Sequence, residues 1–122
     1  MINDVEKILF TEEQLRRRVE ELGEQLTADY AGKSPVLVSV LRGSYIFMAD
    51  LTRQVKLPIT VDFMVLSSYG SGTSSSGQVE IKKDLSDSIE GKDLIIVEDI
   101  LDSGNTLYYL RDVLKARKPA SI

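Results

Sequence analysis

The clearest periodicity in the chain lies in residues 11–31, where Leu15, Val19, Leu22, Leu26 and Tyr30 recur at spacings of three and four. That spacing lays one apolar stripe along a helix of 3.6 residues per turn. Thr11 and Gln14 have the types and separation of a capping box, and Gly32 supplies a stop. The opposite face, with Glu12, Arg16, Arg17, Glu20 and Glu24, reads as a solvated surface.

The pattern then changes period. Residues 36–41 (VLVSVL) are a short, mostly apolar run after Ser34-Pro35, which predicts a buried strand. Phe47, Met48, Leu51 and Val55 return to helical spacing, and Pro58 ends that region. Residues 59–66 (ITVDFMVL) predict the next strand. Strand, helix and strand joined by short connections make a right-handed βαβ unit. Residues 67–78 (SSYGSGTSSSGQ) are rich in Ser and Gly and are expected to form a flexible loop. Residues 79–82 predict a short strand returning antiparallel to its predecessor, residues 86–91 a turn, and residues 93–98 (DLIIVE) a further buried strand. Residues 106–117 predict a helix with Leu107, Leu110, Val113 and Leu114 turned inward. Lys115, Arg117 and Lys118 suit the negative end of its dipole, and Pro119 stops it. Residues 120–122 read as the first of another strand. With neither repeats nor a domain boundary, the expected architecture is a single α/β domain over residues 1–122. Its core is a mostly parallel, twisted sheet flanked by helices.

Composition narrows the chemistry more than the fold. The 122 residues include no Cys and no His. Disulfides, Cys/His zinc sites, a thiolate nucleophile and a Ser-His-Asp triad are therefore excluded. Catalysis must draw on carboxylates, Lys or Arg, Tyr, hydroxyls, backbone amides or a metal held by oxygen. Lys and Arg number 15 against 19 Asp and Glu, a net charge of −4, which argues against nucleic acid as a general partner. No apolar stretch approaches the ~20 residues that span a bilayer, so no membrane partner is expected. The start, MINDVEKILF, lacks a basic region followed by an apolar run, and a cytoplasmic location is the default expectation.

Residues 97–107 (VEDILDSGNTL) carry the informative constellation. A buried strand runs out into two acids, two apolar residues and a third acid, and then Ser-Gly-Asn-Thr opens a helix. Ligands of parallel α/β sheets bind at the carboxyl ends of strands. Gly104 permits a tight turn, and the amides of Ser103, Gly104, Asn105 and Thr106 are expected to face outward at the positive end of the helix dipole. The hydroxyls of Ser103 and Thr106 add donors, which completes a cradle for one phosphate group. Glu98 and Asp99 can accept hydrogen bonds from a vicinal diol such as the 2- and 3-hydroxyls of ribose, or stand near a magnesium ion bound to them. A phosphate cradle beside a diol site suggests a ribose 5-phosphate. Asp102, one step further, is placed to act as a general acid or base on a group attached to the sugar. Singly, Ser103 or Asp102 reads as a helix cap and Glu98 and Asp99 as acids leaving a strand. Together after an apolar strand they favour a site.

VEDILDSGNTL closely resembles the phosphoribosyl pyrophosphate-binding motif of the type I phosphoribosyltransferases, in its hypoxanthine-guanine form. Adenine and orotate enzymes usually carry Ala or Thr where Asp102 stands. SVLRGSYIFMADL, residues 61–66, the SSYG stretch and GKDLIIVEDI match bacterial members in the same order, so the likeness covers most of the chain. The resemblance implies purine salvage by magnesium-dependent transfer of a 5-phosphoribosyl group. Phosphoribosyl pyrophosphate is the donor, hypoxanthine or guanine the acceptor, and IMP or GMP and pyrophosphate the products. It assigns the ribose hydroxyls and an indirect association with magnesium to Glu98 and Asp99. It assigns the 5-phosphate to Asp102, Ser103, Gly104, Asn105 and Thr106, and proton transfer at the purine imidazole edge to Asp102. Leu41, Arg42 and Gly43 match the family's pyrophosphate loop, in which a non-proline cis peptide joins the residues at Leu41 and Arg42. Ser68 and Tyr69 match its mobile lid, which excludes water from the cationic transition state.

The sequence ends about where the family's next core strand begins. The family's later segment holds a lysine that reads the 6-oxo group, an aromatic that stacks on the purine, a magnesium-binding aspartate and a pyrophosphate-binding arginine. None has a counterpart in residues 1–122. The resemblance thus implies a ribose-phosphate half-site without the base-recognition half, and weak nucleotide binding with little turnover for these residues alone. It also implies a homodimer or homotetramer in the complete family fold. A xanthine-type or other type I enzyme is the alternative, as is a non-catalytic regulator that senses phosphoribosyl pyrophosphate on the same fold.

Overall fold

The computed structural model describes residues 1–68 and 79–122. A helix α1 (Glu12–Asp29) precedes β1 (Val36–Leu41), α2 (Tyr45–Thr52) and β2 (Thr60–Ser68). Then come β3 (Val79–Lys83), β4 (Leu94–Val97) and α3 (Asn105–Lys115). The four strands lie in the order β3-β2-β1-β4. β1 is central and pairs parallel with both neighbours, Val36 lying opposite Thr60 on one side and Leu94 on the other. β3 returns antiparallel to β2, with a register shift between Val65 and Leu66.

Alternation along β1 divides the core into two layers, because successive side chains of a strand point to opposite faces. Val36, Val38 and Val40 pack with Met64, Leu94, Leu110 and Leu114, so α3 covers that face. Leu37 packs with Met48, Leu51 and Val97, and Val19, Leu22 and Leu26 close over them, so α1 and α2 cover the other. The Thr11 capping box forms in full, with the Gln14 N–H donating to Thr11 Oγ1 and the Thr11 N–H to Gln14 Oε1.

Several boundaries move for physical reasons. β2 reaches Ser68 because Ser67 and Ser68 find partners in Glu80 and Val79 of β3. α2 stops at Thr52, leaving Val55 outside the helix yet buried. Leu15, expected on the apolar stripe, is 54% exposed and borders a groove shared with Asp50 and Arg53. α3 ends at Lys115, two residues early, and Arg117 turns away to make a two-pronged ion pair with Asp84 at 2.7 and 2.8 Å. Ala120 and Ser121 do begin a pairing beside β4. The Leu94 N–H donates to the Ser121 carbonyl at 2.9 Å, and Asp93 bridges Ser121 in parallel. Among the described residues no helix is long and apolar enough to cross a membrane.

Candidate active site

The topology places the candidate residues together. β2, β1 and β4 are parallel, so their carboxyl ends share one edge of the sheet. From β1 the chain passes to β2 on one side, and it later enters β4 on the other. The strand order reverses between the β1–α2 and β4–α3 loops, the place at which ligands of open α/β sheets bind. The first loop holds Leu41, Arg42 and Gly43, and the second holds every candidate from Glu98 to Thr106.

The two loops touch. A Cβ built on Gly43 would lie 2.1 Å from Asp99 Oδ2 and 2.8 Å from its Cγ, so only a glycine admits the carboxylate at this approach. The Leu41-Arg42 peptide just before it is cis. Ser44, the next residue, is fully buried, and its hydroxyl meets that of Ser39 at 2.7 Å and donates to the Val40 carbonyl. Neither Ser39 nor Ser44 belongs to the motifs that mark the candidate site. Their signal was there, since Ser39 is the only polar residue in the run VLVSVL.

Glu98 and Asp99 leave β4 with opposite electrostatics. Glu98 is half-buried beside Ile95, Ile96 and Leu107, and this burial pushes its carboxyl up to about 7. The adjacent Asp99 carboxylate adds to the rise. Asp99 is exposed and its pKa lies below the ordinary carboxylate value, chiefly through its hydrogen bond with Glu98. The Asp99 N–H donates to Glu98 Oε1 at 3.0 Å, which fixes the two groups relative to each other. Neighbouring carboxylates that share a site divide their protons this way, Glu98 holding its proton more tightly than Asp99.

The turn into α3 is a concave run of backbone. Asp102 and Gly104 are both left-handed, with φ of 48° and 83°. Gly104 is the N-cap and brings no side-chain cap. The reading of Ser103 or Asp102 as merely a helix cap is thereby corrected: neither hydroxyl nor carboxylate fills the capping position. The expectation of four free amides is corrected as well. The Gly104 N–H closes a turn onto the Leu101 carbonyl at 2.8 Å, and the Asn105 N–H makes a long contact of 3.4 Å to Ser103 Oγ. Among the described residues the amides of Ser103 and Thr106 have no backbone partner. They stand at the positive end of α3 with the exposed Ser103 and Thr106 hydroxyls beside them, an arrangement suited to an anion.

Arg42 and Asp102 are exposed, one in each loop. Of the expected lid pair, Ser68 ends β2 at the same edge of the sheet, and Tyr69 lies outside the described residues, as do residues 70–78 of the expected flexible loop. No group of three or more Asp or Glu able to hold a metal occurs among the described residues, so a cation here would take most of its ligands from elsewhere.

Comparisons with known proteins bear on the family. The family profile of the phosphoribosyl transferase domain matches residues 7–122. The chain is 55% identical over 119 residues to a hypoxanthine-guanine phosphoribosyltransferase of Streptococcus thermophilus, covering 98% of this chain and 66% of that protein. It is 52% identical to the enzyme of the same name from Streptococcus agalactiae, covering 98% of this chain and 67% of the relative. A crystal structure of a hypoxanthine phosphoribosyltransferase from Staphylococcus aureus superposes with a TM-score of 0.93 at 48% identity, over 99% of this chain and 66% of that one. The chain thus spans about two thirds of the length of the relatives it matches. A profile match over nearly the whole sequence, and relatives more than 50% identical over 98% of the chain, lead to one conclusion: the chain belongs to the phosphoribosyltransferase family.

Proposed function

We propose that this chain carries the donor site of a purine-salvage phosphoribosyltransferase. The reaction transfers a 5-phosphoribosyl group from phosphoribosyl pyrophosphate to hypoxanthine or guanine, giving IMP or GMP and pyrophosphate. The observation that carries the reading is the contact between Gly43 and Asp99, which sets the β1–α2 loop against the acid pair over a helix N-terminus left without a side-chain cap. One substrate bearing pyrophosphate, a ribose diol and a 5-phosphate in that order spans these three features.

In this reading Ser103, Gly104, Asn105 and Thr106, with Asp102, hold the 5-phosphate through amides, hydroxyls and the helix dipole. Glu98 and Asp99 accept hydrogen bonds from the ribose hydroxyls. Leu41, Arg42 and Gly43 hold the pyrophosphate that leaves as its bond to the anomeric carbon breaks. The purine nitrogen then bonds to that carbon, and Asp102 takes the proton from the imidazole edge. Glu98 and Asp99 would stand near a magnesium ion bound to the ribose hydroxyls, mostly without ligating it, and the ion would keep waters and substrate oxygens as its ligands. When bound, the ion supplies charge neutralisation for the pyrophosphate.

The test is calorimetric titration of the chain with phosphoribosyl pyrophosphate and magnesium. A pyrophosphate-release assay over hypoxanthine, guanine and xanthine accompanies it. The expected result is donor binding with slow release at most, greatest with hypoxanthine or guanine. A chain that fails to bind the donor overturns the reading, and release greatest with xanthine reassigns the base.

A further inference from the structure

We propose that Ser39 and Ser44 form a hydroxyl relay that positions the pyrophosphate-binding loop, so that both are positioning residues for the donor. The inference rests on the function proposed above and names the part of the scaffold that sets one of its three subsites.

Ser39 occupies the face of β1 that also carries Leu37, where apolar residues of α2 and β4 pack. Both serines are 0% exposed. A serine hydroxyl has one proton, and that of Ser44 is committed to the Val40 carbonyl, so Ser39 must donate to Ser44 Oγ across the 2.7 Å contact. The relay therefore runs in one direction, from the strand floor to the loop and back to the strand backbone. The β1–β4 ladder stops at Ser39 opposite Val97, and one residue further the Val40 carbonyl is taken by Ser44. The Ser44 carbonyl also accepts the Met48 N–H at 2.8 Å, opening α2. Ser44 thus ties the loop to the strand below it and to the helix after it.

Removing the Ser44 hydroxyl leaves a buried carbonyl and the Ser39 hydroxyl without partners, a condition that buried polar groups relieve by shifting toward other partners or water. The β1–α2 loop is the segment free to shift. The 5-phosphate cradle is held by separate bonds in the β4–α3 turn and does not depend on the relay.

The experiment titrates the unmodified chain, Ser39→Ala, Ser44→Ala and the double variant with magnesium pyrophosphate and separately with ribose 5-phosphate. Thermal melts run in parallel. The expected result is a pyrophosphate affinity about tenfold lower in Ser44→Ala, with ribose 5-phosphate affinity within about twofold. Ser39→Ala lowers pyrophosphate affinity less, and the double variant is no worse than Ser44→Ala, because the two groups act as a unit. Equal losses for both ligands, or an unchanged pyrophosphate affinity in a folded Ser44→Ala, overturn the inference. If Ser44→Ala does not fold, Ser39→Ala decides alone: a selective loss of pyrophosphate affinity supports the relay and an unselective one overturns it. Failure of the unmodified chain to bind either ligand overturns the functional reading itself, and the relay with it.

Discussion

Replacing Gly43 by Ala separates the stability of the fold from the geometry of the site. The new methyl carbon would fall 2.1 Å from Asp99 Oδ2, 2.8 Å from Cγ and 3.2 Å from Oδ1. All three atoms belong to the end of one exposed side chain, which can swing aside without disturbing either core layer. The backbone at Gly43 is not left-handed, so alanine adds no conformational penalty. Global stability should therefore change by less than about 1 kcal/mol, or roughly 4 °C in Tm for a domain of this size. The ligand pays differently. A hydrogen bond from a sugar hydroxyl to an ionised carboxylate is worth about 1.5–3 kcal/mol. Displacing Asp99 should thus weaken ribose 5-phosphate binding by roughly 10- to 150-fold. Calorimetric titration with ribose 5-phosphate, beside a melt by circular dichroism, reads both quantities. Ribose 5-phosphate affinity unchanged in the folded variant would refute the placement of Asp99 on the sugar. A Tm loss beyond about 8 °C would refute the claim that the contact is local.

Two further outcomes follow from charge. The Glu98 carboxyl lies near 7 in the folded chain against an ordinary 4.5, so the folded state holds this proton more tightly than the unfolded state. Its contribution to stability is complete below about pH 4.5 and is lost as pH rises through 7. Urea melts at pH 5 and pH 8 should show a drop that Glu98→Gln removes, and an equal drop in the variant would place its origin elsewhere. Asp84, held below its ordinary value chiefly by its hydrogen bonds with Arg117, contributes stability above that value and loses it on acidification. The pair is partly exposed, so Asp84→Asn should cost about 0.5–1 kcal/mol at neutral pH, and no loss in a chemical melt would show the pair to be inert.

Elements built on strong periodicity were legible in the sequence. β1 occupies the run 36–41 as expected, and the Thr11 cap formed because its hydrogen bonds are local. The boundaries that moved depend on distant partners. Ser67 and Ser68 are in β2 because β3 pairs with them, and Arg117 left the helix for Asp84, 33 residues away. At the site, the motif located the acids and the turn, since strand, acid pair and helix start are contiguous in sequence. It did not reveal that the Gly104 amide is spent on Leu101, because backbone bonding in a turn is set by dihedral angles and not by residue type alone. The Gly43–Asp99 contact was likewise hidden, as it arises only when β1 and β4 lie side by side.

The ladder that brings those loops together is short. β1 meets β2 over six residue pairs but meets β4 over only four. Closing the β1–β4 register joins segments more than 50 residues apart and bears a larger chain-entropy cost than the β2–β3 hairpin. Fraying of β4 therefore separates the two loops that carry the candidate site. Amide hydrogen exchange in β4 should report occupancy of the site more sensitively than exchange in β2, because a ligand that grips both loops acts as the clasp of this ladder.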